Sequence, residues 1–175
     1  MALQGFGASL QAAPAGGFQQ SGPTTRRDRR DDFYVGIVGN LRPATEDFAK
    51  NLDRFAKDPR YVGVRVRNND IDFELSPQVI ENLKLLAERD MTVDFLVGTA
   101  SLETIDELAT KIPNLKIIIN HCAGYQADGK PVDEKWQRQI EKVAQHRNVY
   151  CKFSGMLEHA KKKPAPADVE YYRPM

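Results

Sequence analysis

The stretch Leu115-Lys116-Ile117-Ile118-Ile119-Asn120-His121-Cys122-Ala123-Gly124 decides the fold of this chain. It is a short β-branched run, apolar on both faces, that breaks abruptly into polar and small residues. A strand of that kind sits inside a sheet covered on both sides, which is the habit of parallel sheets. In such sheets the polar residues just past a strand's carboxyl end are where sites are built.

On either side of this strand the same unit recurs. Ser101 is placed to cap a helix carrying Leu102, Ile105, Leu108, Ala109 and Ile112, stopped near Pro113. Before it, Thr92 to Val97 reads as a strand. Ser76 and Pro77 start the preceding helix, which runs to about Arg89 with Val79, Ile80, Leu83, Leu86 and Ala87 at helical spacing. Tyr61 to Arg67 is a strand, and Tyr34 to Val38 another. Between those two, Thr45 is expected to cap a helix reaching Lys57, with Phe48, Leu52 and Phe55 on one face and Asp58-Pro59 ending it. Downstream, Asp133 caps a helix containing Trp136, Ile140, Val143 and Ala144. Val149 to Phe153 is a fifth strand, Lys161 to Pro166 a loop, and the residues from Ala167 the start of a helix that stops at Met175.

The order β-α-β-α-β-α-β-α-β belongs to an α/β fold with a parallel sheet. A doubly wound sheet and a (β/α)8 barrel both fit it. Two observations favour the barrel. No strand is followed by a Gly-x-Gly-x-x-Gly or P-loop pattern, and polar residues gather at the carboxyl ends of several strands. Five strands are fewer than eight, and a full barrel needs about 250 residues, so the expectation is an incomplete TIM barrel of about five parallel strands with intervening helices.

The chain has 175 residues, enough for one domain. Residues 1–32, rich in Gly, Ala, Gln and Pro and then in arginine and aspartate, lack sustained periodicity and are expected to form a disordered tail before a domain over residues 33–175. With 25 Lys plus Arg against 24 Asp plus Glu, bulk charge steers the protein toward neither nucleic acid nor an anionic membrane. No run approaches the ~20 apolar residues of a membrane span, and the N-terminus lacks the pattern of a signal peptide. Cys122 and Cys151 match no zinc or redox spacing and read as two small buried residues of a reducing, cytoplasmic compartment.

Candidate site residues follow from strand geometry. His121, at the end of the isoleucine strand, can ligate a metal or move protons, or can equally be a hydrogen-bonded strand-end histidine. In Tyr61 to Arg67, period-2 alternation puts Val62, Val64 and Val66 on one face and Gly63, Arg65 and Arg67 on the other. The valines pack under helices, so Arg65 and Arg67 point inward, to grip a carboxylate or to pair with a structural acid. Asp94 faces the same interior, as that structural partner or as a site residue. Lys152 and Ser154 share a face of the last strand, placing the lysine on an anion unless it snorkels to solvent. His146, at a helix end, reads as structural. His159 lies in a charged loop with no nameable partner.

Taken together, several blocks become more specific. They are Val62-Gly63-Val64-Arg65, Leu85-Leu86-Ala87, Val93-Asp94-Phe95-Leu96-Val97, Leu108-Ala109, Pro113-Asn114-Leu115, Ile119-Asn120-His121-Cys122-Ala123-Gly124, Trp136 and Asn148-Val149-Tyr150-Cys151-Lys152-Phe153-Ser154-Gly155-Met156. In this order they resemble the amidohydrolase-related family of metal-dependent barrel hydrolases, which includes sugar lactonases and dicarboxylate lactonases. The resemblance runs from about Tyr34 to the C-terminus. It implies that the five strands are barrel strands two to six, that His121 binds metal or supports attack on a carbonyl, and that Arg65 helps hold an anionic small-molecule substrate. It also implies a divalent metal, zinc by expectation, in the intact parent.

The departures are as informative. The family's His-x-His pair on strand one has no counterpart, since no histidine precedes Phe33, and its strand-eight Asp falls beyond Met175. Where some relatives carry a strand-six histidine, this chain reads Lys152-Phe153-Ser154. One candidate ligand does not make a zinc site, which wants three or more. The leading expectation is a hydrolase of a lactone or related carbonyl ester. Its rivals are a truncated, non-catalytic fragment or scaffold and a decarboxylase of the same superfamily.

Overall fold

A computed structural model of the chain describes residues 35–67 and 75–175; the expected N-terminal tail lies outside the described residues. Five strands, β1 (Ile37–Gly39), β2 (Tyr61–Arg67), β3 (Thr92–Leu96), β4 (Lys116–Ile119) and β5 (Val149–Cys151), form one sheet in the order β1-β2-β3-β4-β5. Every neighbouring pair is parallel. This order separates the two architectures that the alternation left open. A doubly wound sheet reverses its strand order at a switch point, whereas here each crossover moves one place in the same direction. Right-handed crossovers repeated in one direction put their helices on one face, and that is the arrangement of a barrel segment.

Helix α1 (Phe48–Phe55) contacts α2 (Pro77–Glu88), and α3 (Leu102–Lys111) contacts α4 (Glu134–Val143). Their apolar faces meet the outward side chains of the sheet. Phe48, Leu52, Leu83, Leu86, Leu102, Ile105 and Leu108 close over Val64, Val66, Val93, Phe95, Ile117 and Ile119, all essentially inaccessible to water. Two caps form as expected: Ser76 Oγ accepts from Val79 N at 3.3 Å, and Asp133 Oδ1 from Trp136 N at 2.9 Å. Short helices α5 (Met156–His159) and α6 (Val169–Tyr172) follow β5, and Asp168 caps α6.

Several expectations need correction. Thr45 does not cap α1: its hydroxyl donates back to Arg42 O at 2.9 Å in a turn, and the helix begins at Phe48 after Asp47. Ser101 makes no side-chain cap, because a 3-10 turn over Thr99–Ser101 leads directly into α3. Val62 is 40% exposed, being near the open amino end of β2, so only Val64 and Val66 pack under helices. Cys151 is exposed, because it lies on an edge strand; Cys122 is buried. His146 is structural as expected: its Nε2 is 2.9 Å from Asp106 Oδ1, and Lys142 Nζ is 2.7 Å from Oδ2, tying α4 to α3.

Candidate active site

The register places Arg65, Asp94, Ile118 and Tyr150 side by side across four strands. Their faces alternate with the buried valines and isoleucines, so this row lies on the side of the sheet away from the helices. Asp94 is its electrostatic centre. Its carboxylate is 3% exposed, and Oδ2 accepts from Arg65 Nη2 at 3.1 Å and from Lys152 Nζ at 2.8 Å. A carboxylate so deprived of water needs such partners. Arg65 is nearly as buried, and its Nε is buried without a hydrogen-bond partner among the described residues. Gly63 lets β2 and β3 close up at the foot of this pair: a Cβ there would lie 2.1 Å from Thr92 Oγ1.

At the end of β4 the backbone turns left-handed. His121, Cys122, Ala123 and Gly124 have φ of 52, 50, 56 and 64°. For residues with a Cβ this conformation costs roughly 1–2 kcal/mol each, so three in succession must be held by their surroundings. The restraints are visible. Cys122 N donates to Lys152 O at 3.2 Å and Ala123 N to Asn120 O at 3.0 Å, while Trp136 Nε1 donates to Cys122 O at 3.3 Å. Trp136 itself packs against Tyr125 in a tilted ring pair, with centroids 4.4 Å apart. Asn120 anchors the strand end by donating Nδ2 to Phe95 O at 3.1 Å.

This turn sets the direction of the His121 ring. Its Nδ1 is 2.9 Å from Ser154 Oγ, with which it shares a hydrogen. Gly155 supplies the room, since a Cβ there would stand 2.9 Å from both Cγ and Nδ1 of the imidazole; its own φ is 72°. The ring of His159 on α5 lies 6.0 Å away, centroid to centroid. Burial lowers the His121 pKa below its ordinary value; Glu158 opposes the shift, and His159, Lys152 and Arg65 reinforce it. Burial therefore favours the neutral imidazole, which sits in the field of the two cations held by Asp94.

The structure thus brings together His121, Ser154, Lys152, Asp94 and Arg65 on one side of the sheet. Arg67 stands apart, exposed at the end of β2. Asp94 serves as counter-ion to Arg65 and Lys152, the pairing that its alternation had offered. Sequence reasoning missed Glu158 and His159, which a one-turn helix after Gly155 carries back toward His121; no periodicity in so short a segment announces it. It also missed the closeness of Cys122 and Cys151. Interaction with the Cys151 thiol and the Ser154 backbone N–H lowers the pKa of Cys122 to about 7 against burial, and interaction with Cys122 together with burial raises that of Cys151.

As a metal site the cluster falls short. Among the described residues no three His, Cys, Asp or Glu are grouped to hold an ion. The nitrogens of His121 and His159 are two donors, and the Asp94 carboxylate is already bonded to two cations. These residues do not fit a zinc centre, which wants three protein ligands.

A barrel segment with a polar cluster at the carboxyl ends of its strands is the framework of barrel hydrolases. The sequence profile of the amidohydrolase family matches residues 5–174, and the chain belongs to that family. It is 29% identical over 147 residues to L-fucono-1,5-lactonase of Burkholderia ambifaria, covering 82% of this chain and 50% of the lactonase. Crystal structures of an amidohydrolase from Burkholderia multivorans share the fold. The form with bound HEPES has a TM-score of 0.67 at 16% identity, and the form with bound zinc 0.64 at 17%. Each superposition covers 79% of this chain and 50% of the solved one. The chain therefore spans about half the length of the relatives it matches, and its sheet is a partial TIM barrel.

Proposed function

We propose that the strand-end cluster is the anion-holding and proton-transferring part of a site that hydrolyses a lactone or related carbonyl ester of an anionic substrate. The observation that carries this reading is the His121 imidazole, fixed by Ser154 at 2.9 Å beside the Arg65–Asp94–Lys152 cluster. Hydrolysis of such an ester needs a base to take a proton from water as it attacks the carbonyl, and an acid to return one to the departing alkoxide. A partly buried imidazole whose neutral form is favoured is suited to both duties near neutral pH. His121 Nδ1 is held by Ser154, which leaves Nε2 as the nitrogen that moves the proton. Arg65 and Lys152 supply the positive field for a substrate carboxylate and for the oxyanion that forms during attack. Asp94 keeps the two cations in place. The likeness to a sugar lactonase supports the ester class.

A divalent metal, which the family resemblance implies, would supply a Lewis acid and an activated water. The described residues do not complete a site for it, so no step here passes through it. In the reading above Arg67 contributes at most long-range charge.

The test is acid release from a sugar-acid 1,5-lactone followed with a pH indicator, comparing the chain with His121→Asn and Arg65→Met. Turnover by the parent chain, loss of kcat in the histidine variant and a raised KM in the arginine variant support the assignment. Equal turnover by all three proteins would refute it. A second reading, a non-catalytic scaffold, is favoured by the exposed apolar residues Tyr150, Phe153 and Leu157 on and after the edge strand β5, and would show as a folded chain without lactone turnover.

A further inference from the structure

The left-handed turn that aims His121 is held by a closed circuit of contacts. The chain leaves the turn through Tyr125 and comes back to it through helix α4. Tyr125 Oη accepts from Asp133 N at 2.9 Å. Asp133 Oδ1 accepts from Trp136 N at 2.9 Å and fixes the first turn of α4. Trp136 Nε1 then donates to Cys122 O at 3.3 Å, and Tyr125 N donates to the same carbonyl at 3.3 Å. The tilted packing of the Tyr125 and Trp136 rings closes the circuit. The loop it encloses is also tied from outside. Ala127 O accepts from Lys161 N at 2.8 Å and from Tyr171 Oη at 2.9 Å. The Tyr171 ring covers Gly129, whose φ is 79°, so closely that a Cβ there would lie 2.9 Å from it. Cys122 is thus pinned at both of its backbone polar groups: the N–H to β5 at Lys152 O, the carbonyl to α4 at the Trp136 indole.

We infer that Trp136 and Tyr125 are positioning residues for His121, given the reading of His121 as the group that moves the proton. Residues with a Cβ relax out of the left-handed region unless their neighbours hold them there. His121, Cys122 and Ala123 lie in it consecutively, so releasing the Cys122 carbonyl frees the turn to rotate about the pin that remains at β5. The imidazole is attached to the first residue of that turn and rotates with it. Its Nδ1 is 2.9 Å from Ser154 Oγ, and a shift of about 1 Å carries it past the roughly 3.6 Å at which such a contact is no longer a hydrogen bond. Misplacement of that size at a reacting group costs on the order of 100-fold in rate. Arg65, Asp94 and Lys152 belong to β2, β3 and the end of β5, so anion binding survives while the aim of the base is lost.

The experiment compares the full chain with Trp136→Phe and Tyr125→Phe, each of which keeps an aromatic ring and deletes one polar contact, below the lowest melting temperature of the set. Ring-nitrogen NMR of His121 is the first readout, with Ser154→Ala as the reference for an imidazole that has lost its partner. Initial rates on a sugar-acid 1,5-lactone are the second. Trp136→Phe should move the His121 signals toward those of Ser154→Ala, leave those of His146 on Asp106 in place, and lower kcat about 10- to 100-fold with KM little changed. Tyr125→Phe should do the same to a smaller extent. In the His121→Asn background Trp136→Phe should lower the rate no further, as expected of a residue that acts through the imidazole. The inference is overturned if folded Trp136→Phe keeps the wild-type His121 signals, or if its effect on rate is as large without the imidazole as with it. Should Trp136→Phe fail to fold, unchanged His121 signals in Tyr125→Phe overturn it. Absence of lactone turnover in the wild-type chain refutes the hydrolytic reading instead, and the ring signals then decide the clamp by themselves.

Discussion

Among the described residues, replacing Asp94 by Ala removes the carboxylate that pairs with two cations on the inner side of the sheet. Arg65 would be left 9% exposed and Lys152 31% exposed, both without an anion at 3.1 and 2.8 Å. Removing one member of a buried ion pair typically costs about 3–5 kcal/mol, because the remaining charge is stranded away from water. For a domain of this size each kcal/mol lowers the melting temperature by about 2–4 °C, so the variant should melt about 6–20 °C lower. Lys152→Met is the control. Its amine is partly in water, in the regime where a pair contributes about 0–1 kcal/mol, so its shift should be no more than a few degrees. Arg65→Met should fall between, since Asp94 keeps the lysine. The combined Arg65→Met, Asp94→Leu, Lys152→Met variant should recover most of the loss, because an apolar cluster carries no stranded charge. Thermal and urea unfolding followed by circular dichroism read all four. The reasoning fails if Asp94→Ala costs no more than Lys152→Met, or if the triple variant is as unstable as Asp94→Ala.

Gly155→Ala should cost roughly 1–2 kcal/mol for its left-handed backbone and should also displace the imidazole 2.9 Å away, seen as lower stability together with a changed His121 ring signal by NMR. Trp136→Phe deletes the donor to Cys122 O and should cost about 1 kcal/mol, with faster amide exchange confined to residues 121–125. The His121 ring should titrate below the ordinary histidine value of 6.5 because burial disfavours its charged form; its service as a base, and the stability gained from keeping it neutral, are both lost as pH falls through that midpoint. A midpoint at or above 6.5 would contradict this. Burial raises the Asp106 pKa, but its bonds to Lys142 and His146 outweigh it and hold the group below 3.8. Its stabilisation is therefore complete above the ordinary aspartate range and lost in stronger acid, and Asp106→Asn should flatten the acid limb of the stability curve.

Much of the fold was legible because local signals agreed with one another. Tyr61 to Arg67 alternates cleanly and bounds β2 as observed, and Ser76-Pro77 marks the start of α2 with a cap and a fixed φ. The same alternation put Arg65, Asp94, Lys152 and Ser154 on the inner side. What stayed hidden depends on contacts distant in the chain. The backbone at His121, Cys122 and Ala123 is imposed by Trp136 and Lys152, and none of the three residue types favours the left-handed region by itself. His159 reaches His121 only because Gly155 reverses the chain. Thr45 and Ser101 were plausible caps by type, yet in each case a preceding turn shifted the helix start.

The consecutive strand order has a kinetic consequence. Each strand pairs with the one before it, so the sheet can accumulate unit by unit through contacts of short sequence separation, which are the rapid ones. Asp94 and Lys152, by contrast, are 58 positions apart. Their contact closes only once the intervening helices have docked and β5 has been laid down. The charges that the site needs are thus the last to be neutralised during folding, and a nascent chain that stops short of β5 exposes an aspartate and an arginine with no lysine to complete them.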